Sequence, residues 1–243
     1  MQRILGYVRK AVQQYGMIQE GDRIAVAVSG GKDSLVLLKA LAEYRRFSPA
    51  KYDLTAITID PRFGGADGDY TAVQTLCNDL QIPCVIESTD IARIVFDVRK
   101  EQNPCSLCAR LRRGALHSCA KSHGCNKLAL GHNNDDAIET FIMNLFQTGS
   151  ISCFSPKSYL PDRDITVIRP LCLAPEKQVI SASRRSSLQI VTSRCPADKH
   201  TKRQETKEWL KAMERSDKGF KLRIFGAMCR ADVSGWGFPQ NEA

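Results

Sequence analysis

The residues whose types and spacing most clearly suit catalysis or ligand binding form the segment 29–34, which reads SGGKDS. It follows a short apolar run and precedes a predicted helix. Glycines let the backbone turn sharply and bring N–H groups close to an anion, and the start of a helix adds positive potential. A plain tight turn is the alternative. We predict a phosphate-binding loop, whose candidate ligands are Ser29, Gly30, Gly31, Lys32, Asp33 and Ser34.

This loop differs from the GxxxxGK[ST] loop that supports attack at the γ phosphate. The four-residue spacer is missing, and Asp33 follows the lysine. A carboxylate at that position is suited to hold a Mg²⁺ ion that bridges the oxygens of a departing pyrophosphate. We therefore predict that Lys32 and Asp33 are catalytic residues.

A second polar segment, 131–136, reads GHNNDD and follows the apolar run 127–130. If both runs are parallel strands, the two segments lie at the same sheet edge. Adjacent carboxylates can cap a helix, or they can hold magnesium or orient a substrate. We predict Asp135 as a catalytic residue and Gly131, His132 and Asp136 as nucleotide-binding residues. The ring of His132 could instead be a packed core group.

Three cysteines have neighbouring residues that favour metal binding or thiol reactivity. Cys105 and Cys108 form a CxxC motif near the start of a predicted helix, and Cys195 lies further along the chain among basic residues. The helix start and the nearby arginines predict a lowered pKa for both CxxC thiols. Spacing alone leaves three interpretations open: a zinc site that recruits His200 or another cysteine, a redox pair, or an iron–sulfur cluster with one iron open to an external ligand.

The ten cysteines of this 243-residue chain do not indicate a disulfide framework, because the chain is large and begins without a secretory signal. No run of eighteen apolar residues is present, so we expect no membrane association and a cytoplasmic protein. Five cysteines with apolar neighbours are predicted to be small buried residues. They are Cys77, Cys84, Cys119, Cys153 and Cys172.

The elements that must position these groups alternate between strand and helix. Predicted strands lie at 23–28, 54–59, 84–87, 127–130 and 166–168, and predicted helices at 1–20, 34–44, 70–80, 107–122, 135–146, 176–183 and 201–213. Such alternation predicts an α/β fold with a doubly wound, Rossmann-like parallel sheet, whose ligands bind beyond the carboxyl ends of the strands. We divide the chain into an N-terminal helix (1–22), a catalytic domain (23–200) and a basic helical segment with a tail (201–243).

The net charge of +9 is concentrated near the end of the chain. Between Pro175 and Arg230 there are fourteen lysines and arginines against six acidic residues. A concentrated basic surface favours a polyanionic partner, most commonly nucleic acid. A solvated basic helix without a partner is the alternative.

Four motifs occur in order: SGGKDS, PCSLCARLRRGAL, LALGHNNDDAIETFIMNLF and RCPADKHTKRQE. Together they resemble the PP-loop ATP pyrophosphatases and, among them, the TtcA family of tRNA 2-thiocytidine synthetases. The resemblance extends from the first helix to about Lys211. It implies cleavage of ATP between the α and β phosphates with Mg²⁺, and a [4Fe–4S] cluster on Cys105, Cys108 and Cys195. It also implies that Arg110, Arg112 and Arg113 face ATP or the RNA backbone, with Arg112 as a catalytic residue.

The implied reaction is tRNA thiolation. The C2 oxygen of an anticodon-loop cytidine, expected at tRNA position 32, is adenylated and then replaced by sulfur, with AMP and pyrophosphate as products. The implied partners are tRNA, a sulfur donor (a cysteine desulfurase or sulfide) and, in a homodimer, a second copy of the chain. The alternatives are a 2-thiouridine or lysidine-type PP-loop enzyme, or a nucleotide-binding module without turnover. Related 2-thiouridine enzymes carry paired-cysteine zinc fingers at both ends, and the positions of the cysteines argue against them here, because no cysteine precedes Cys77 and only Cys229 lies near the end.

Overall fold

A computed structural model describes residues 1–100, 104–192, 194–196 and 202–237. Its six-stranded sheet has the order β3-β2-β1-β4-β6-β5. The strands are β1 (Asp22–Ala27), β2 (Tyr52–Asp60), β3 (Cys84–Ser88), β4 (Lys127–Ala129), β5 (Lys157–Leu160) and β6 (Ile165–Ile168). All neighbours pair in parallel except β5, which is antiparallel to β6. The predicted α/β fold with a mainly parallel sheet is confirmed.

The edge strand β5 was not predicted from the sequence. Its residues alternate between exposed and half-buried positions, and it is only four residues long. A short strand on the open edge of a sheet needs no apolar run, because one side and much of one face contact solvent. The hydrophobic pattern that identifies the central strands is therefore missing here.

Eight α-helices surround the sheet in the described part of the chain. They are α1 (Gln2–Gln14), α2 (Lys32–Tyr44), α3 (Thr71–Asp79), α4 (Pro104–Ser122), α5 (Asn134–Met143), α6 (Glu176–Arg185), α7 (Lys202–Ser216) and α8 (Phe220–Arg230). Most agree with the predicted helices to within a few residues. Helix α8 was not predicted from the sequence. It lies after Lys211, where the family resemblance ends. No described helix has the length and apolar character needed to cross a bilayer.

The sheet separates two apolar cores, and alternate residues of β1 point into each. Ile24 and Val26 belong to the core under α1, α2 and α6, whereas Ala25 belongs to the core under α4. All three are fully buried. A central strand buried on both faces must be apolar throughout, which explains the continuous run in the sequence.

The strand order places the functional segments together. β1 lies between β2 and β4, with Val26 paired to Ala56 on one side and to Ala129 on the other. The segments that follow these three strands therefore leave the sheet at the same edge. A Cβ atom on Gly131 would lie 3.1 Å from the Asp33 carbonyl carbon, so the segments after β1 and β4 are in close contact.

Candidate active site

The phosphate loop connects β1 to α2, and its conformation depends on glycine. Gly30 has φ +81°, in the left-handed region, and a Cβ atom there would lie 2.6 Å from the Cβ of Val191. The hydroxyl of Ser34 donates to the carbonyl of Gly31 at 2.9 Å and lies 3.3 Å from the hydroxyl of Ser29. No side chain caps the start of α2. Its first N–H groups are thus available for an anion.

Lys32 belongs to a small ionic network at the start of α2. Its Nζ lies 2.8 Å from Asp33 Oδ2 and 3.1 Å from Glu176 Oε1. Burial opposes the charge, but the hydrogen bonds to Asp33 and Glu176 outweigh it and raise the pKa of Lys32. The lysine is therefore a fixed cation beside the loop. Glu176, the first residue of α6, was not predicted from the sequence.

Asn133 joins the two functional segments and was also not predicted. Its Nδ2 donates to Asp33 Oδ1 at 3.0 Å, while its Oδ1 accepts the backbone N–H groups of Asp135 and Asp136. The carboxylate of Asp136 accepts the N–H of Asn133 at 2.9 Å and completes a capping box. Burial, and then the nearby Asp33, raise the pKa of Asp136. The carboxylates of Asp33 and Asp136 therefore influence one another.

Asp135 has a different environment from the one expected of a catalytic residue. Its Oδ1 lies 2.8 Å from Nζ of Lys221 in α8, and its Oδ2 accepts the N–H of Glu176 at 2.7 Å. The capping box turns Asp136, rather than Asp135, towards the cavity described next. This placement argues against the predicted catalytic role of Asp135 and assigns it to the packing of α6 and α8 on α5.

A cavity of about 340 Å³ lies between the two segments. Its polar lining residues are Ser29, Asp33, Ser34, His132 and Asp136. Its apolar lining residues include Ile57, Ile59, Leu116 and Leu130. Polar groups next to a phosphate loop and apolar groups that can contact a flat ring suit a nucleotide. The structure thus brings together most of the predicted nucleotide-binding residues.

A larger cavity of about 610 Å³ adjoins the first. Its walls include Asp60, Phe63, Tyr70, Gln189 and Arg194. Ser29 and Arg112 line both cavities, so these two residues lie at their junction. The other two predicted arginines, Arg110 and Arg113, are exposed and line neither cavity.

The segment 188–192 lies against the phosphate loop, and Arg194 comes directly before Cys195. The N–H of Val191 donates to the carbonyl of Gly30 at 3.0 Å. Arg194 donates through Nη1 to the carbonyl of Asp67 at 2.9 Å. These contacts bring a distant part of the chain to the same sheet edge, although nothing in its local sequence indicates the contact.

Cys105 and Cys108 lie in the first turn of α4, the former exposed and the latter buried. Burial raises the pKa of the Cys108 thiol; the charge of Arg112 opposes this, while Cys195 and Cys105 raise it further. The predicted lowering is therefore wrong for Cys108. Arg112, Cys195 and Cys105 therefore each lie close enough to Cys108 to influence the charge of its thiol.

The described residues contain no group of three His, Cys, Asp or Glu side chains that could hold a metal ion. His200, which the zinc interpretation would recruit, lies outside the described residues. Of the five cysteines predicted to be buried, Cys77, Cys119 and Cys172 are buried and Cys84 and Cys153 are half-buried.

Several cations of the basic helices α7 and α8 contact carboxylates within the protein. The sequence predicted that this basic region contacts nucleic acid. Nζ of Lys207 lies 2.6 Å from Glu176, and Arg203 lies 3.6 Å from Asp136 and 3.7 Å from Glu139. With Lys221, three cations of this region pair with carboxylates around the phosphate loop. The exposed cations that remain on α7 and just beyond it include Lys211, Arg215 and Lys218.

Comparison with known proteins agrees with this geometry. Residues 5–208 match the family model described as a PP-loop domain. A tRNA-cytidine(32) 2-sulfurtransferase of Pelobacter propionicus is 44% identical over 215 residues, which cover 87% of this chain and 79% of the relative. One from Geobacter metallireducens is 40% identical over 229 residues, covering 93% and 88%.

Among solved structures, the chain resembles the U34-tRNA thiolase NcsA from Methanococcus maripaludis, determined with its [4Fe–4S] cluster. The TM-score is 0.75 at 27% identity, over 94% of this chain and 78% of that one. NMN synthetase from Francisella tularensis shares the fold, with a TM-score of 0.52 at 15% identity over 98% of each chain. The family match and the extent of the 44% identity show that this chain belongs to the PP-loop family and, within it, to the tRNA-cytidine(32) 2-sulfurtransferases.

Proposed function

We propose that this chain is an ATP-dependent tRNA sulfurtransferase that replaces the C2 oxygen of cytidine 32 with sulfur and releases AMP and pyrophosphate. One observation carries the proposal beyond the family relationship. The phosphate loop, the GHNNDD segment and the helix with the CxxC motif meet at two adjoining cavities, with Arg112 at their junction. Nucleotide activation and sulfur transfer would then occur side by side.

In this proposal the smaller cavity binds ATP. The free N–H groups at the start of α2 and the side chains of Ser29 and Ser34 would hold phosphate oxygens, and the apolar lining residues would contact the base. Asp33 and Asp136 are the carboxylates suited to Mg²⁺. Mg²⁺ commonly takes only one or two carboxylates and completes its shell with phosphates and water, so two carboxylates fit the ion.

The first chemical step is attack of the cytidine C2 oxygen on the α phosphorus. The bond to the bridging oxygen breaks, and pyrophosphate leaves with the electron pair. Lys32 and the magnesium would stabilise the negative charge that develops on the leaving group. The product carries AMP on C2, so a carbonyl oxygen has become a good leaving group.

The second step needs sulfur close to the adenylated base. Thiolates are the usual ligands of iron–sulfur clusters, and Cys105, Cys195 and Arg112 each act on the charge of Cys108. Cys105, Cys108 and Cys195 would hold the cluster. When bound there, a [4Fe–4S] cluster would supply an iron without a protein ligand, where sulfide can bind. Arg112 would neutralise the AMP phosphate as it departs.

The larger cavity would receive the target base. Phe63 and Tyr70 line it and offer aromatic surfaces for a base that has left its stack. Exposed cations on α7 would contact the tRNA backbone. The sulfur donor, a cysteine desulfurase or sulfide, a homodimeric assembly and a cytoplasmic location stay predictions from the resemblance.

The proposal is tested with anaerobically purified protein, ATP, sulfide and a tRNA that carries cytidine 32. Mass spectrometry of the digested nucleosides should show 2-thiocytidine, and the same tRNA with uridine at position 32 should show none. Thiolation should be lost in Cys195→Ala but kept in Cys84→Ala, a half-buried cysteine of β3. A colourless, iron-free preparation that thiolates fully would contradict the cluster assignment. Thiolation by Cys195→Ala would contradict the three-cysteine set.

A further inference from the structure

His132 is held in one orientation at the wall of the smaller cavity. Its ring packs on Phe154, with centroids 4.9 Å apart and an angle of 31° between the rings. Its Nδ1 accepts a hydrogen bond from Nε of Arg169 at 3.3 Å. The residue lines the cavity together with Ser29, Asp33 and Ser34 of the phosphate loop. The ring therefore has one nitrogen turned to an arginine and one face on an aromatic ring.

Arg169 is itself fixed in place. It follows β6 directly, and its Nη1 donates to the carbonyl of Ser155 at 2.6 Å. Its guanidinium lies 4.9 Å from the centre of the Phe154 ring. Within the part of the chain that the structure describes, no carboxylate lies at ion-pair distance from it. Because an arginine is always a donor, the nitrogen that accepts from it cannot carry a hydrogen.

The surroundings also keep the imidazole uncharged. Burial is the largest effect, and Arg169, Arg203 and Arg113 add to it, so that the pKa of His132 is lowered to about 3. Asp136 lines the same cavity but does not offset these effects. A neutral imidazole whose Nδ1 accepts must carry its hydrogen on Nε2. Nε2 has no hydrogen-bond acceptor within the described residues.

We infer that Arg169 is a positioning residue that fixes His132 as a neutral Nε2–H donor to a phosphoryl oxygen of the bound nucleotide. His132 then binds an oxygen and cannot accept a proton as a general base. A phosphoryl oxygen is the acceptor because His132 lines the same cavity as Ser29, Asp33 and Ser34 of the phosphate loop. The identity of the nucleotide rests on the proposed function; the tautomer does not.

The tautomer is measured by NMR on protein labelled with ¹⁵N-histidine, without RNA or turnover. The chain has four histidines, and His132→Gln identifies the signal of interest. We expect His132 to remain neutral, with its hydrogen on Nε2, from pH 8 to pH 5. In Arg169→Met both tautomers should appear and the ring should titrate closer to its ordinary range. Arg163→Met, on an exposed turn between β5 and β6, should change nothing. A wild-type ring with the hydrogen on Nδ1, or one that protonates between pH 6 and 7, would overturn the inference.

The ligand contact is tested with AMP and adenosine. AMP should shift the Nε2–H signal, whereas adenosine, which lacks the phosphoryl group, should leave it in place. An equal shift with adenosine, or no shift with AMP at saturation, would overturn the contact. Substitution provides a second measurement. Gln carries an N–H₂ group near the position of Nε2, and Asn carries one near Nδ1. His132→Gln should therefore bind AMP within about threefold of wild type, and His132→Asn should bind it roughly tenfold more weakly.

The effect of Arg169 is distinguished from loss of folding by Arg169→Lys, which retains a cation and a donor. This variant should preserve the Nε2–H signal and most of the AMP affinity. Arg169→Met should instead show a weaker Nε2–H signal beside the Nδ1–H form and a lower AMP affinity, and should keep its melting temperature within a few degrees. If Arg169→Met bound AMP as tightly as wild type with a changed tautomer, the positioning role would be rejected. None of these results depends on thiolation, so failure of the inference is distinct from failure of the proposed function.

Discussion

Asp135 and Asp136 are adjacent, but the first turn of α5 gives their carboxylates different contacts. Adjacent residues on a helix point about 100° apart, so only one of the two carboxylates can face the phosphate loop. The capping box through Asn133 turns Asp136 to the cavity and leaves Asp135 to Lys221. The sequence identifies the pair, but the rotation of the helix depends on a tertiary hydrogen bond from Asn133 to Asp33. No local pattern encodes that bond.

Asp136→Asn should therefore lower the rate of pyrophosphate release by about a hundredfold or more, because a magnesium ligand is lost. Asp135→Asn should lower it far less and should instead reduce the melting temperature, since Lys221 loses its charged partner and Asn has one acceptor oxygen in place of two. Pyrophosphate release with saturating tRNA and differential scanning calorimetry separate the two effects. The assignment is contradicted if Asp135→Asn is the inactive variant while it still binds ATP.

The buried carboxyl of Glu139 gives the molecule a pH-dependent stability that can also be assigned to one residue. Burial, and then the charge of Asp136, raise its pKa from 4.5 to about 7. Since the folded state binds the proton more tightly, stability falls as pH rises from 4.5 to 7. Glu139→Gln should leave the free energy of unfolding nearly unchanged at pH 5 and increase it by about 1–3 kcal/mol at pH 8. Urea denaturation at both values measures this. Glu87→Gln, at an exposed position, is the control, and equal effects at both pH values would reject the prediction.

At the level of elements, the phosphate loop contacts the segment 188–192, which comes from a distant part of the chain. Gly30 lies against Val191, and the backbone bond between them is 3.0 Å long. The glycine is evident in the sequence, but its partner lies 161 residues away and has no motif of its own. The structure therefore adds a requirement that the loop sequence cannot reveal.

Gly30→Ala should weaken ATP binding strongly, because the added methyl meets Val191 and the left-handed backbone costs about 1–2 kcal/mol more. Val191→Gly in the same chain removes the atoms that collide and should restore part of the affinity. Isothermal titration calorimetry of the single and double variants measures this. A double variant no better than Gly30→Ala would show that the contact does not matter.

The two elements that were not predicted from the sequence, β5 and α8, were missed for the same physical reason. Strand β5 lacks an apolar run, and α8 contains Gly226 in its interior and follows Gly219, both of which weaken a helical pattern. Both elements are stabilised by packing that only the folded chain supplies. Trp236, which follows α8, is fully buried against Tyr15, Phe154 and Phe225. The alternation of the central strands and helices, in contrast, is a local property and was predicted correctly.

At the scale of the whole molecule, the cations fall into two groups: those paired with carboxylates and those exposed to solvent. Arg203, Lys207 and Lys221 neutralise carboxylates around the phosphate loop, so the net charge overstates the surface available to RNA. The exposed cations of α7 and the residues after it are the ones expected to contact tRNA. Sequence composition gives the total, but only the structure distinguishes paired cations from those that face solvent.

Replacing Lys211, Arg215 and Lys218 by Gln should weaken tRNA binding and reduce the slope of log affinity against log salt concentration by about two to three. ATP affinity should not change. The control replaces three exposed cations of α1, namely Arg3, Arg9 and Lys10, and so removes the same charge. Filter binding at several salt concentrations provides the slopes. Equal losses in both variants would indicate a general effect of net charge rather than a docking surface.

If the loop 29–34 directs attack to the α phosphorus of ATP, the bond between the α and β phosphates is the one that breaks. Chromatography of the products of a single turnover, with tRNA and ATP labelled separately at the α and γ positions, identifies that bond. We expect α-labelled AMP and γ-labelled pyrophosphate in equal amounts, formed only when tRNA is present. ADP with γ-labelled orthophosphate would show attack at the γ phosphorus instead.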